Sequence, residues 1–125
     1  NANIQVVSVN GKVLIVGQAK NTYLRDSAIK ILNEVDGIEH IYDQIRISNL
    51  TSISTRTNDV WLTSKVKAAL LGSDVVDATN IKVVTENGEV FLMGLIENKQ
   101  ADEAVDVARH ISGVNRVFKM FEYIN

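Results

Sequence analysis

The sequence predicts an α+β fold in which one small module is built twice. Three observations predict it: an internal repeat, an Asn-Gly pair between alternating apolar stretches in each copy, and a helical apolar stripe after each pair. Ala2-Asn3-Ile4-Gln5-Val6-Val7 and Thr79-Asn80-Ile81-Lys82-Val83-Val84 read alike, and the same register places Asn10-Gly11 on Asn87-Gly88 and Gly17 on Gly94. With one residue fewer in the next turn, Gly37 falls on Gly113 and Ile41 on Val117. Two copies with so long a period mean duplicated domains, since a solenoid needs three or more stacked units.

Each copy follows one plan. Alternation predicts a first strand over 4–9 and over 81–85. Asn-Gly then supplies the two positive φ angles of a type I′ hairpin turn. A second strand returns over 12–16 and 89–93, and ends at Gly17 or Gly94. Leu24, Ala28, Ile31, Leu32 and Val35 recur at helical spacing, as do Ala101, Ala104, Val105, Ala108 and Ile111. A last strand is expected over 41–47 and 117–124. The second copy carries an additional leading helix, with Asn58 and Asp59 as N-caps and Leu62, Val66, Ala69 and Leu70 as its apolar face.

The second copy therefore reads α-β-β-α-β, a small three-stranded mixed sheet packed by helices on one face. The first copy lacks the leading helix. Its domain is placed at 1–48 and the second at 58–125, with the Ser-, Thr- and Asn-rich 49–57 between them as a linker. Two consequences are expected: the first copy exposes apolar surface where the helix would lie, and the sequence is a trimmed piece of a longer protein.

Composition narrows the function. A hydrophobic share of 46% over 125 residues supports a folded protein. A net charge of −2, from 13 basic and 15 acidic residues, gives no global field for nucleic acid. Without cysteine there is no disulfide and no thiolate metal site. No apolar run is long enough to span a bilayer, and no signal peptide or lipid-attachment cysteine is present. His40 and His110 stand apart from any second histidine or nucleophile at motif spacing. Ser27, Ser64 and Ser112 lie in ordinary helical contexts. Asp26, Asp102, Glu103 and Asp106 read as solvated helix faces, and carboxylates alone make poor zinc sites. Tyr23, Tyr42 and Tyr123 are too scattered for a base-stacking platform. The expectation is no enzyme, no cofactor, no metal and no nucleic acid.

The repeat plan, the Asn-Gly hairpin, the glycine after the second strand and Gly113-Val114 before the last strand resemble the BON domain family. The stretch 85–95, Thr-Glu-Asn-Gly-Glu-Val-Phe-Leu-Met-Gly-Leu, is similar to the second domain of its dual-BON outer-membrane lipoproteins. So are the stretch 58–67 and, for the first domain, 11–18 and 35–37. The resemblance covers nearly the whole chain. It implies a module that binds anionic phospholipid and supports outer-membrane integrity, with enrichment at the division site. It also implies a place on the periplasmic face, anchored by an N-terminal lipid that this chain lacks. The second leading helix would be the membrane-facing element.

The residues themselves leave two readings of that helix. Trp61, Lys65, Ala68 and Leu71 fall outside the Leu62–Val66–Leu70 stripe, and an indole beside Lys65 and Lys67 suits a headgroup interface. A lone Trp equally suits core or interdomain packing. Leu71 could cap the core, and Gly94 could serve a tight turn. The resemblance favours the first reading and adds Gly94 and Leu95 at the edge of the lipid contact. The alternative function is a protein-interaction scaffold for envelope proteins, without direct lipid binding.

Overall fold

The computed structural model describes residues 2–47 and 53–124. The chain divides into two compact units, 1–52 and 53–125. The first contains β1 (Ala2–Val9), β2 (Lys12–Ala19), α1 (Thr22–Asn33) and β3 (His40–Ile47). The second contains α2 (Ile53–Leu71), a 3-10 turn (Ala78–Asn80), β4 (Ile81–Glu86), β5 (Glu89–Ile96), α3 (Asn98–Arg109) and β6 (Arg116–Tyr123). Each unit holds one three-stranded mixed sheet, in the order β1-β2-β3 or β4-β5-β6. The first two strands pair antiparallel and the last two parallel.

The turn chemistry explains the antiparallel pair. Asn10 and Asn87 have φ of 51° and 52°, and Gly11 and Gly88 follow at 78° and 80°, the pair of positive angles a type I′ turn demands. The parallel pair needs a crossover, which α1 and α3 provide. Asn21, a residue type favoured at the N-cap, starts α1, its Oδ1 accepting from the Leu24 amide at 2.9 Å.

Two expectations are corrected. The second strands do not end at glycine: β2 runs through Gly17 to Ala19, and β5 through Gly94 to Ile96. A Cβ on Gly17 would stand 1.9 Å from the Asn3 carbonyl oxygen, and one on Gly94 2.0 Å from that of Asn80. Glycine here admits the neighbouring strand and makes no turn. The leading helix also starts earlier than read. It begins at Ile53, so Asn58 and Asp59 lie within it and cap nothing. Residues 53–57, read as linker, are helical, while 48–52 lie outside the described residues. Ser and Thr cost a helix only a few tenths of a kcal/mol each, which the contacts made further along α2 offset.

Alternation along the strands puts the core of the second unit on one sheet face. Val83, Val90, Leu92, Ile96 and Phe121 share that face and pack with Val66 and Leu70 of α2 and with Ala101, Ala104 and Ala108 of α3. The other sheet face is apolar too, with Phe91 stacked on Phe118 at 4.7 Å between ring centroids. In the first unit Ile15, Ala19 and Ile45 pack with Leu24, Ala28 and Leu32 of α1. Among the described residues of this unit no second helix flanks α1. Val6, the counterpart of Val83, is 51% exposed, whereas Val83 is 4% exposed. Ile31 and Val35 are exposed as well. The open apolar face expected of the first copy is therefore present.

Candidate functional site

The site is the outward face of α2. Its inward face is set by Leu62, Val66 and Leu70, all buried, at i, i+4 and i+8. Three polar tethers fix the rotation of the helix. Asp59, buried, accepts from the Asn87 amide at 2.7 Å and the Gly88 amide at 2.8 Å. Thr63 and Thr85 hydroxyls meet at 2.7 Å. On the other flank the Lys65 ammonium donates to the Ser112 carbonyl oxygen at 3.3 Å.

With rotation fixed, the residues half a turn away must face solvent. Ser64 and Ala68 are exposed there, flanked by Trp61 at 62% exposed, Val60 at 68% and Leu71 at 71%. Lys67 is exposed on the same side, and among the described residues no carboxylate forms an ion pair with it. Three large apolar side chains, Val60, Trp61 and Leu71, are thus exposed on one helix.

Of the sequence-predicted residues, Trp61, Lys67, Ala68 and Leu71 are all exposed on the solvent side of α2. Lys65 does not join them, because its ammonium is drawn toward Ser112. Gly94 is buried and offers no surface. Leu95 is exposed, but alternation directs its side chain to the sheet face away from the helices, with Phe91 and Met93. Sequence reasoning missed Val60. The signal existed: Val60, Ser64, Lys67 and Leu71 repeat at spacings of three and four opposite the Leu62 stripe.

One carboxyl that feels the charges of Asp59 and Arg56 on α2 is perturbed. Glu86, at the end of β4, has its carboxyl held above the usual range, first by burial, then by the Asp59 charge, with Arg56 opposing. Among the described residues no group of three or more His, Asp or Glu could hold a metal ion, and no helix is long and apolar enough to cross a membrane.

A fold of two β-β-α-β units, the second led by a helix with an exposed apolar face, defines the class. The BON domain matches residues 1–49 and 58–125, and the chain belongs to the BON domain family. It is 39% identical over 122 residues to the outer membrane lipoprotein DolP of Haemophilus influenzae, covering 98% of this chain and 63% of that protein. It is 42% identical over 123 residues to the 21 kDa hemolysin of Actinobacillus pleuropneumoniae, with the same coverage of 98% and 63%. Osmotically-inducible protein Y of Escherichia coli is 30% identical over 116 residues, covering 90% of this chain and 55% of that protein. The chain thus spans less than two thirds of the length of these relatives.

Proposed function

We propose that the second unit binds anionic phospholipid surfaces through the outward face of α2, reversibly and without catalysis, on the periplasmic face of the outer membrane. The observation that carries this reading is one rotation-fixed helix whose solvent side exposes Val60, Trp61 and Leu71 together with Lys67, which forms no ion pair among the described residues. An indole settles at the lipid–water boundary, and an ammonium meets lipid phosphate. Full burial of a Val- or Leu-sized side chain contributes about 1.5–3 kcal/mol, and a lysine near an anionic surface about 1 kcal/mol. Partial insertion of so few groups gives weak binding, which suffices where a tether raises the effective concentration. The relative described as an outer membrane lipoprotein supports the envelope setting.

The test is co-sedimentation with phosphatidylglycerol and with phosphatidylcholine vesicles at two salt concentrations. Binding is expected for the anionic vesicles alone, weaker at the higher salt, and lost in a folded Trp61→Ala variant. A folded wild-type chain that ignores both vesicles overturns the reading and leaves the exposed stripe to an envelope protein partner.

A further inference from the structure

A groove of about 200 Å³ opens between the last turn of α2 and the start of β4. Its floor is apolar, formed by buried Leu70 and Val83, with Ala78 and Ile81 along one wall. At its rim stand exposed Leu71, Lys67 and Thr79. The groove is contiguous with the outward face of α2, since Lys67 and Leu71 belong to both.

Size and lining restrict the occupant. At roughly 30 Å³ for a water-sized group, the volume holds about seven such groups. Pockets for drug-sized molecules start at about 300 Å³. A whole phospholipid is too large, whereas a short stretch of one hydrocarbon chain fits. The apolar floor favours hydrocarbon over water.

Charge fixes the direction of entry. Lys67 stands at one end without an ion pair among the described residues. Asp77 lies beside the Thr79 end, where its carboxylate accepts from the Thr79 amide and hydroxyl and from the Asn80 amide group. A negative head is therefore attracted at Lys67 and repelled at Thr79. We infer that this groove takes a single hydrocarbon chain of an anionic amphiphile, its acid head on the Lys67 ammonium and its chain over Leu70, Ala78 and Ile81. The inference rests on the phospholipid reading and deepens it: the site engages lipid one chain at a time as well as adsorbing to a surface.

The experiment is an NMR titration of the full chain with decanoate below its micelle concentration, beside the vesicle assay. Saturable one-to-one shifts are expected at Lys67, Leu71, Ala78 and Ile81. Lys67→Gln, at an exposed position, should weaken decanoate about fivefold, the equivalent of one lysine–anion contact of ~1 kcal/mol. Ala78→Phe should fill the groove and abolish saturation while anionic vesicles still bind. Trp61→Ala should do the reverse, losing vesicles and keeping decanoate. Linear or absent shifts, with vesicle binding intact, overturn the groove and leave the phospholipid reading standing. Saturable decanoate binding without any vesicle binding supports the groove and overturns the surface reading.

Discussion

Asp59 Oδ1 lies 2.8 Å from the amide nitrogen of Gly88, while the second oxygen of the same carboxylate takes the Asn87 amide at 2.7 Å. A buried charge in the middle of α2 thus satisfies both amides of the hairpin turn, and charge-assisted bonds of this kind are the strong ones. They join the leading helix to the sheet at the end opposite Leu71. Asp59→Ala leaves both donors without their acceptor and should cost the second unit about 2–4 kcal/mol. Asp59→Asn retains an acceptor and should cost less. Trp61, the single tryptophan, reports the unfolding of this unit in urea; an unchanged midpoint for Asp59→Ala would contradict the assignment.

Val6 and Val83 supply a matched pair of substitutions. They occupy the same register position in the two sheets, opposite Ile15 and Leu92, yet only Val83 lies under α2. Val83→Ala should cost about 2 kcal/mol, from lost burial plus the cavity left behind. Val6→Ala should cost below about 1 kcal/mol, because half of that side chain already meets water. Amide exchange read separately in the two units distinguishes the effects. Equal losses would mean that Val6 is covered in solution.

Much of this arrangement is legible in the sequence because its signals are local. The Asn-Gly turns, the alternation of the strands and the Leu62–Val66–Leu70 stripe each need a handful of neighbouring residues. That stripe alone places Trp61, Ala68 and Leu71 on the outside. The rest depends on partners distant in the chain. Asp59 reads as a cap because its acceptor role involves amides 28 and 29 residues away. Lys65 reads as a surface cation because the carbonyl that claims it is 47 residues away. Gly94 reads as a turn because the obstructing oxygen belongs to Asn80, in the 3-10 turn that leads into β4.

Glu86 gives a pH dependence with a definite sign. Its carboxyl is raised in the folded unit by burial and by Asp59, so the native state holds this proton more tightly than the unfolded chain does. The contribution to stability is full below the ordinary glutamate range and is lost as pH rises through the raised folded value. Glu86→Gln, which never ionises, should therefore be more stable than the parent at neutral pH, with the gain vanishing in acid. Urea midpoints of both proteins across this range test it, and parallel curves would exclude Glu86 as the source.

Gly94 and Leu71 separate folding from surface contact. A methyl group on Gly94 meets the Asn80 carbonyl oxygen at 2.0 Å on a backbone at φ 146°, a geometry that neither strand can relieve without losing its register. Gly94→Ala should destabilise the second unit by at least about 3 kcal/mol. Any loss of vesicle binding in that variant then follows from a displaced β4 and α2. Leu71→Ser removes an exposed side chain and should leave stability within about 0.5 kcal/mol while weakening vesicle binding. Thermal unfolding followed beside co-sedimentation tells the two apart. A fully stable Gly94→Ala that fails to bind vesicles would instead place that backbone in direct contact with lipid.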